Sequence, residues 1–334
     1  MPRVSVLLPA FDAEATLPAA LRSVARQRAA DFECVVVDDG SRDGTLACAR
    51  SFAERDARFR VVARAHRGLV DALNAGLECC RGDVVARLDA DDVMHRDRLR
   101  LQLAALDGDP SLAAVGAHVR LFPRAGLREG LRDYEHWLNE IDTPERVRAE
   151  AFVECPIAHP TLAIRRDALR GAGGYRDLGW PEDYDLVLRL LAAGHRLGVV
   201  PRRLVLWRDH PRRLTRVAAS CRPEQFPRLK AHFLARGLLA SSEEYVLWGY
   251  GQTGRALRRA LLAHGKRPSH VVEVHPGRLG NTIHGAPVVP PEEIPRLPRR
   301  PIVASVAGEA PRRLIRAALA RMGLVETVDF VCAA

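Results

Sequence analysis

Short apolar runs alternate with amphipathic stretches through the first part of the chain, and this alternation constrains the fold more than any other feature. Val4–Leu8, Cys34–Val37, Phe59–Val62, Val84–Leu88 and Ala113–Val119 read as buried strands rich in β-branched residues. Between them, residues 14–28, the stretch from Thr45, Val70–Cys80 and Asp97–Leu106 carry apolar side chains at helical spacing. Strands separated by single helices form βαβ units, so the expected fold is α/β, a mostly parallel sheet with helices on both faces. In such sheets ligands bind beyond the carboxyl ends of the strands. Two acidic clusters fall there, Asp38-Asp39 after the second strand and Asp89, Asp91 and Asp92 after the fourth.

Three carboxylates within four residues repel one another and raise one another's pKa unless something compensates. A divalent cation with hard oxygen ligands, Mg²⁺ or Mn²⁺, is the natural partner for Asp89, Asp91 and Asp92. A solvated turn with a helix N-cap accounts for the run equally well. Asp38-Asp39-Gly40-Ser41 likewise reads as a turn with an N-cap or as an acceptor for a base or ribose.

Composition narrows the classes. The 334 residues suggest about two domains. No apolar run approaches the ~20 residues of a membrane span, and the N-terminus lacks a secretory h-region, so the expected location is the cytoplasm. Seven scattered cysteines with no C-x-x-C form neither a disulfide framework nor a zinc site. The net charge is +10, and all but Lys230 and Lys266 of the 51 basic residues are arginine. Such a surface attracts phosphates or an anionic membrane face, where peripheral contact is conceivable. Aromatics are only 5% and no reader motif is present, which argues against nucleic acid.

Taken together, the motifs Val4–Phe11 (SVLLPAF), Cys34–Gly44 (CVVVDDGSRDG), Ala72–Gly76 (ALNAG), Arg87–Asp92 (RLDADD), His159-Pro160-Thr161, Gly173-Gly174-Tyr175, Pro181–Asp185 (PEDYD) and Arg208-Asp209-His210 resemble the family 2 nucleotide-sugar glycosyltransferases of GT-A fold. The resemblance covers about residues 1–216, in family order. It implies an inverting sugar transfer from a nucleotide-diphospho-sugar, UDP-linked by preference, to a glycan or lipid-linked acceptor hydroxyl, assisted by Mn²⁺ or Mg²⁺. It also implies roles. Pro9, Phe11 and Asp39 line the nucleoside pocket, with Arg67 reaching the base or ribose. Asp91 faces the ribose and Asp92 ligates the metal, Asp89 acts directly or through water, and Arg208 and His210 lie over the pyrophosphate, His210 as a further metal ligand. Asp183 is the catalytic base with Glu182 in support, in a loop just before the apolar helix Leu186–Leu191. His159 and Trp180 fall on the acceptor side. Tyr134 and Trp137 offer sugar stacking or simply helix packing.

The remaining residues read as a helical linker over 217–242 and a small Rossmann-like domain over 243–334. Strand Tyr245–Trp248 leads into Gly249-Tyr250-Gly251-Gln252-Thr253-Gly254 and then a helix, the context that gives G-x-G-x-x-G its meaning. Glu273, about twenty residues on, occupies the ribose-binding position. These four residues, Gly249, Gly251, Gly254 and Glu273, make a second nucleotide site or a turn whose glycines serve packing alone, the latter being the favoured reading. Two other functions stay open on this sequence: a degenerate transferase fold serving as a regulatory nucleotide- or sugar-binding protein, and an NAD-binding oxidoreductase acting through the C-terminal module.

Overall fold

A computed structural model describes residues 1–28 and 31–334. The chain divides into two compact units. The first comprises Met1–Val147, Pro156–Leu178 and Glu182–Arg213, and the second Arg148–Cys155, Gly179–Pro181 and Leu214–Ala334.

The first unit follows the expected alternation: β1 (Val4–Ala10), α1 (Leu17–Ala25), β2 (Phe32–Asp38), α2 (Thr45–Arg55), β3 (Phe59–Ala63), α3 (Leu69–Cys79) and β4 (Val84–Arg87). It continues through β5 (Val93–Met94), α4 (Arg98–Gly108), β6 (Leu112–Phe122), α5 (Glu129–Glu140), α6 (Pro144–Glu150), β7 (Ala163–Arg165), α7 (Arg166–Gly171), α8 (Glu182–Ala192) and β8 (Arg196–Arg208). Helix α6 runs across the boundary between the units.

The eight strands lie in the order β3-β2-β1-β4-β7-β6-β8-β5. The β3-β2-β1-β4 half is parallel, and β7 and β5 run antiparallel to their neighbours. Every residue of β1 and β2 is buried, as expected of strands covered on both faces. Val4, Val6 and Leu8 pack on Leu17, Leu21 and Val24 of α1 and on Leu99 and Leu106 of α4. Each such side chain, fully buried, contributes roughly 1.5–3 kcal/mol before conformational entropy is counted. On the other face α3 approaches closely at Gly76, where a Cβ would stand 2.3 Å from Leu7 Cδ1. Strands β5 and β7 have two and three residues. Neither is visible as a periodic run, because each exists only through pairing with a distant strand.

The second unit contains α9 (Leu214–Val217), α10 (Gln225–Arg236), β9 (Glu244–Trp248), α11 (Gln252–Leu262), β10 (Arg267–Val272), β11 (Thr282–Ile283), β12 (Ala286–Val289), β13 (Ile302–Ala304), α12 (Glu309–Arg321) and β14 (Phe330–Cys332). Its sheet runs β11-β12-β10-β9-β13-β14, parallel except for β11. Tyr245 and Leu247 face Leu234 of α10 and Leu257 and Leu261 of α11, whereas Val246 and Trp248 face Ile315 and Leu319 of α12. The 217–242 segment thus supplies core side chains to this unit. Lys230 of α10 is buried and donates to the carbonyls of Val153 (2.8 Å) and Ala333 (3.1 Å).

Candidate active site

Strand β4 ends at Arg87, and the next residues turn beyond the carboxyl edge of the sheet. Asp89, Asp91 and Asp92 each bring a carboxylate oxygen within 4.8 Å of the others, the one such cluster among the described residues. Asp92 is fully buried. Its Oδ1 accepts the Arg208 backbone N–H at 2.7 Å, and its Oδ2 has no partner. Burial and the charges of Asp89 and Asp91 push the Asp92 carboxyl well above the usual carboxylate range. Asp91 is raised by burial and by Asp89, while His210, 2.8 Å from its Oδ2, opposes the shift. Burial also works against the charge of Asp89, but the Arg87 guanidinium at 2.5 Å overcomes it and holds this carboxyl low. A buried, partnerless carboxylate oxygen beside two further carboxylates fits a hard divalent cation.

Arg87 extends the site inward. It is almost wholly buried, and its Nε and one Nη have no partner. The His159 ring, in a 3-10 turn over His159–Thr161, lies 3.2 Å from Tyr175 Oη and 3.6 Å from Glu182 Oε1. Burial, reinforced by the Arg87 charge, lowers the His159 pKa to about 3, so the imidazole is neutral. Burial and the Asp183 charge raise Glu182 to about 8.

Glu182 and Asp183 are not in a loop before the helix. They form the first turn of α8 itself, with Asp185 beside them. Carboxylates complement the N-terminal end of the helix dipole, so the acidic run starts the helix. Asp183 Oδ1 accepts the Tyr184 backbone N–H at 2.7 Å. Tyr175 is held by a two-way clamp: Asn74 Nδ2 donates to the Tyr175 carbonyl at 2.9 Å, and Tyr175 N donates to Asn74 Oδ1 at 3.0 Å. The ALNAG and GGY segments therefore form one contact.

On the nucleoside side, Pro9 is buried in β1 and Phe11 stands exposed just beyond it. Asp39 follows β2 as expected, but the 64–68 loop fills its carboxylate. It accepts the backbone N–H of Gly68 (2.8 Å) and Arg67 (3.2 Å), pairs with Arg64 (3.2 Å) and lies 2.8 Å from His66 Nδ1. His66 also stacks on Phe11 with ring centroids 4.1 Å apart. Arg67 thus meets Asp39 through its backbone, and its side chain is exposed. A cavity of about 610 Å³ opens beside this edge, lined by Asp12, Glu14, Ala15, Arg42, Asp43 and Arg212.

Other candidates are placed differently. Arg208 packs its guanidinium 4.4 Å over the Phe122 ring and donates from Nε to the Asp91 carbonyl at 2.7 Å, so it braces the acidic turn. Trp180 belongs to the second unit, where its ring lies 5.2 Å from that of His232. Tyr134 stacks with Trp137, and Trp137 is buried. The roles of Arg87, His66 and Arg64 escaped the sequence reading. Arg87 sits inside the RLDADD motif, two residues from Asp89, and that i, i+2 placement was the available signal. For His66 and Arg64 there was none, because only the fold brings their loop to Asp39.

The glycyl turn of the second unit follows β9. Gly249 has φ +95°, and a Cβ there would stand 2.3 Å from Val306 Cγ2; one on Gly254 would stand 2.1 Å from the Gly249 carbonyl oxygen. Glu273 Oε1 accepts the Tyr250 N–H and Arg278 Nη1, both at 2.7 Å.

Comparison with known proteins agrees with this geometry. Residues 5–172 match the model of the glycosyl transferase family 2. The amylovoran biosynthesis glycosyltransferase AmsE of Erwinia amylovora is 32% identical over 200 residues, 59% of this chain and 73% of AmsE. Two solved structures share the fold. Staphylococcus aureus TarS 1–349 in complex with UDP-GlcNAc has a TM-score of 0.59 at 19% identity, over 79% of this chain and 72% of that one. The Pyrobaculum calidifontis mannosyltransferase PcManGT, in complex with GDP-Man and Mn²⁺, has a TM-score of 0.55 at 22% identity, over 79% and 69%. The chain belongs to glycosyl transferase family 2 and is a glycosyltransferase of GT-A fold.

Proposed function

We propose that the first unit transfers a sugar, with inversion, from a nucleotide-diphospho-sugar to a hydroxyl of a glycan or lipid-linked acceptor. The observation that carries this reading is the convergence of three distant segments: Asp89–Asp92, His159 and Glu182-Asp183 meet around the buried Arg87 and Tyr175. The nucleotide complexes of TarS and PcManGT support the donor class, and a UDP-sugar is the favoured donor. The role of AmsE in amylovoran biosynthesis supports an acceptor in polysaccharide assembly.

The donor base stacks on Phe11 and takes the place of His66, and Pro9 and Asp39 close the pocket around it. Arg67 lies at the rim. Asp91 and Asp92, with His210 beside Asp91, would hold Mn²⁺ or Mg²⁺, which supplies positive charge against the diphosphate leaving group. Asp89 stays charged against Arg87 and steadies the same pocket, and Arg208 holds the backbone of the acidic turn. At the other side Asp183 takes the proton of the acceptor hydroxyl as its oxygen bonds to the anomeric carbon, and the nucleoside diphosphate departs with the electron pair of the broken bond. Glu182, protonated near neutral pH, donates a hydrogen bond to the acceptor. Neutral His159 lies beside the carboxyl of Glu182 on the acceptor side.

No helix among the described residues is long and apolar enough to cross a membrane. The seven free cysteines support a reducing, cytoplasmic setting, and the arginine-rich surface would allow reversible contact with an anionic leaflet. Titration with UDP, with and without Mn²⁺, tests the reading. Metal-dependent binding that disappears in Asp92→Asn supports it, and the absence of any Mn²⁺-dependent component of UDP binding refutes it.

A further inference from the structure

The glycyl turn of the second unit contains two glycines that packing demands and one that it does not. A Cβ on Gly249 or Gly254 would collide with Val306 or with the Gly249 carbonyl. Gly251 differs. A Cβ there would meet nothing within 4 Å, and its φ of −74° suits any residue. The missing side chain at Gly251 leaves open the space over the first turn of α11, an eleven-residue helix whose N-terminal N–H groups attract anions. That turn carries no acidic residue, while Arg255 lies beside it and bonds the Gly251 carbonyl at 3.3 Å. A cation at a helix N-terminus is unfavourable unless an anion joins it.

Two buried polar groups point to the same place. Ser305 follows β13 directly. Ile302 and Ala304 face the α12 side and Val303 faces the α11 side, so alternation turns Ser305 toward α11. There Thr253 Oγ1 donates to the Ser305 carbonyl at 3.1 Å. The Ser305 hydroxyl is 2% exposed and has no hydrogen-bond partner. Glu273 is 8% exposed and takes both of its bonds on Oε1, leaving Oε2 to accept another. The chain crosses from β9 to β10 through α11 on one face and from β13 to β14 through α12 on the other. The turn therefore lies where the winding of the sheet reverses, the position at which open α/β sheets bind ligands.

We propose that this turn binds a second nucleotide. Its diphosphate rests on the α11 N-terminus between Arg255 and Arg278, near the Ser305 hydroxyl, and its ribose donates to Glu273 Oε2. The site belongs to the second unit, and the groups that meet the diphosphate are a helix N-terminus and two arginine side chains, so its binding calls for no metal.

The full chain is titrated in EDTA with ADP-ribose, NAD and UDP. Saturable binding of at least one probe, one per chain, is expected, and which probe binds distinguishes an adenine from a pyrimidine nucleotide. Gly251→Asp places a favourable N-cap where the space is open and should leave the melting temperature unchanged or higher, yet weaken that binding at least tenfold. Ser305→Ala removes only the partnerless hydroxyl and should weaken it about threefold or more with the fold intact. Absence of binding by all three probes in EDTA, or binding that both variants leave unchanged, overturns the proposal. Metal-dependent UDP binding is a separate readout, so failure at this site and failure of the transferase reading are told apart.

Discussion

The two units each place an acid just beyond the carboxyl end of a strand in a mostly parallel sheet, and they treat it in opposite ways. In the first, Asp92 is buried against two other carboxylates with one oxygen unpartnered, and its pKa rises steeply. In the second, Glu273 has a cation and a backbone N–H already bonded to one oxygen. The first unit tolerates electrostatic strain of the kind that concentrates at functional sites. The second matches its acid with Arg278 and places its tightest constraint in the backbone, where Gly249 and Gly254 permit an approach no side chain would allow. One site is therefore built on charge awaiting a cation, the other on space.

The sharpest test of that contrast is Asp92→Asn. The amide keeps the acceptor for the Arg208 N–H and removes the repelled charge. Transfer should fall at least ~10³-fold, the scale of several kcal/mol of lost charge stabilisation, while the melting temperature in EDTA holds or rises. A fall in melting temperature with activity preserved would reverse the assignment. Next in size, Asp183→Asn should cut transfer by about 10²–10⁴-fold with metal-dependent UDP affinity unchanged, as steady-state rates and titration together would show.

In the second unit the corresponding break is steric. Gly254→Ala should cost about 1–3 kcal/mol through overpacking, and Gly251→Ala less than about 0.5 kcal/mol, in chemical denaturation of the full chain. Equal costs would remove the distinction between the two glycines.

The last effect is in pH dependence. Glu182 has a folded pKa raised from 4.5 to about 8. The unfolded chain releases this proton near 4.5 and the folded chain retains it to about 8, so the stabilisation is complete below 4.5 and is lost as pH rises to 8. His159 is depressed from 6.5 to about 3. Its contribution is complete above 6.5 and is lost as pH falls toward 3, so it offsets Glu182 between 4.5 and 6.5. From pH 6.5 to 8 Glu182 acts alone of the two and should remove about 2 kcal/mol. In Glu182→Gln that slope should vanish from melting curves recorded in EDTA; if it persists, another group carries it.

Much of the architecture was legible in the chain. The β1–α1–β2–α2–β3–α3–β4 alternation appears as period and punctuation, because parallel strands buried on both faces must be apolar throughout. The glycyl turn was legible too, since a strand leading through spaced glycines into a helix leaves few geometries. Strands β5 and β7 were not legible, being too short to show a period. The start of α8 at Glu182 was not legible, because an acidic run flanked by glycine, tryptophan and proline fits a loop before the helix as well as its first turn. Candidate residues near strand ends, Asp39, Asp89, Asp91 and Asp92, stood out because charge directly after an apolar strand is conspicuous.

The sequence by itself determined that two sheet-based units exist, that the first belongs to a sugar-transferring family, and which acidic residues stand at its sheet edge. It did so because those features are local, written in spacing and residue type. Only the tertiary structure decided which of them meet. It drew Glu182, His159 and Tyr175 around a buried Arg87, laid His66 on Phe11, engaged Asp39 with its own loop, and left Asp92 Oδ2 and the Ser305 hydroxyl without partners. Burial and long-range proximity set those outcomes, and neither has a period that a linear chain displays.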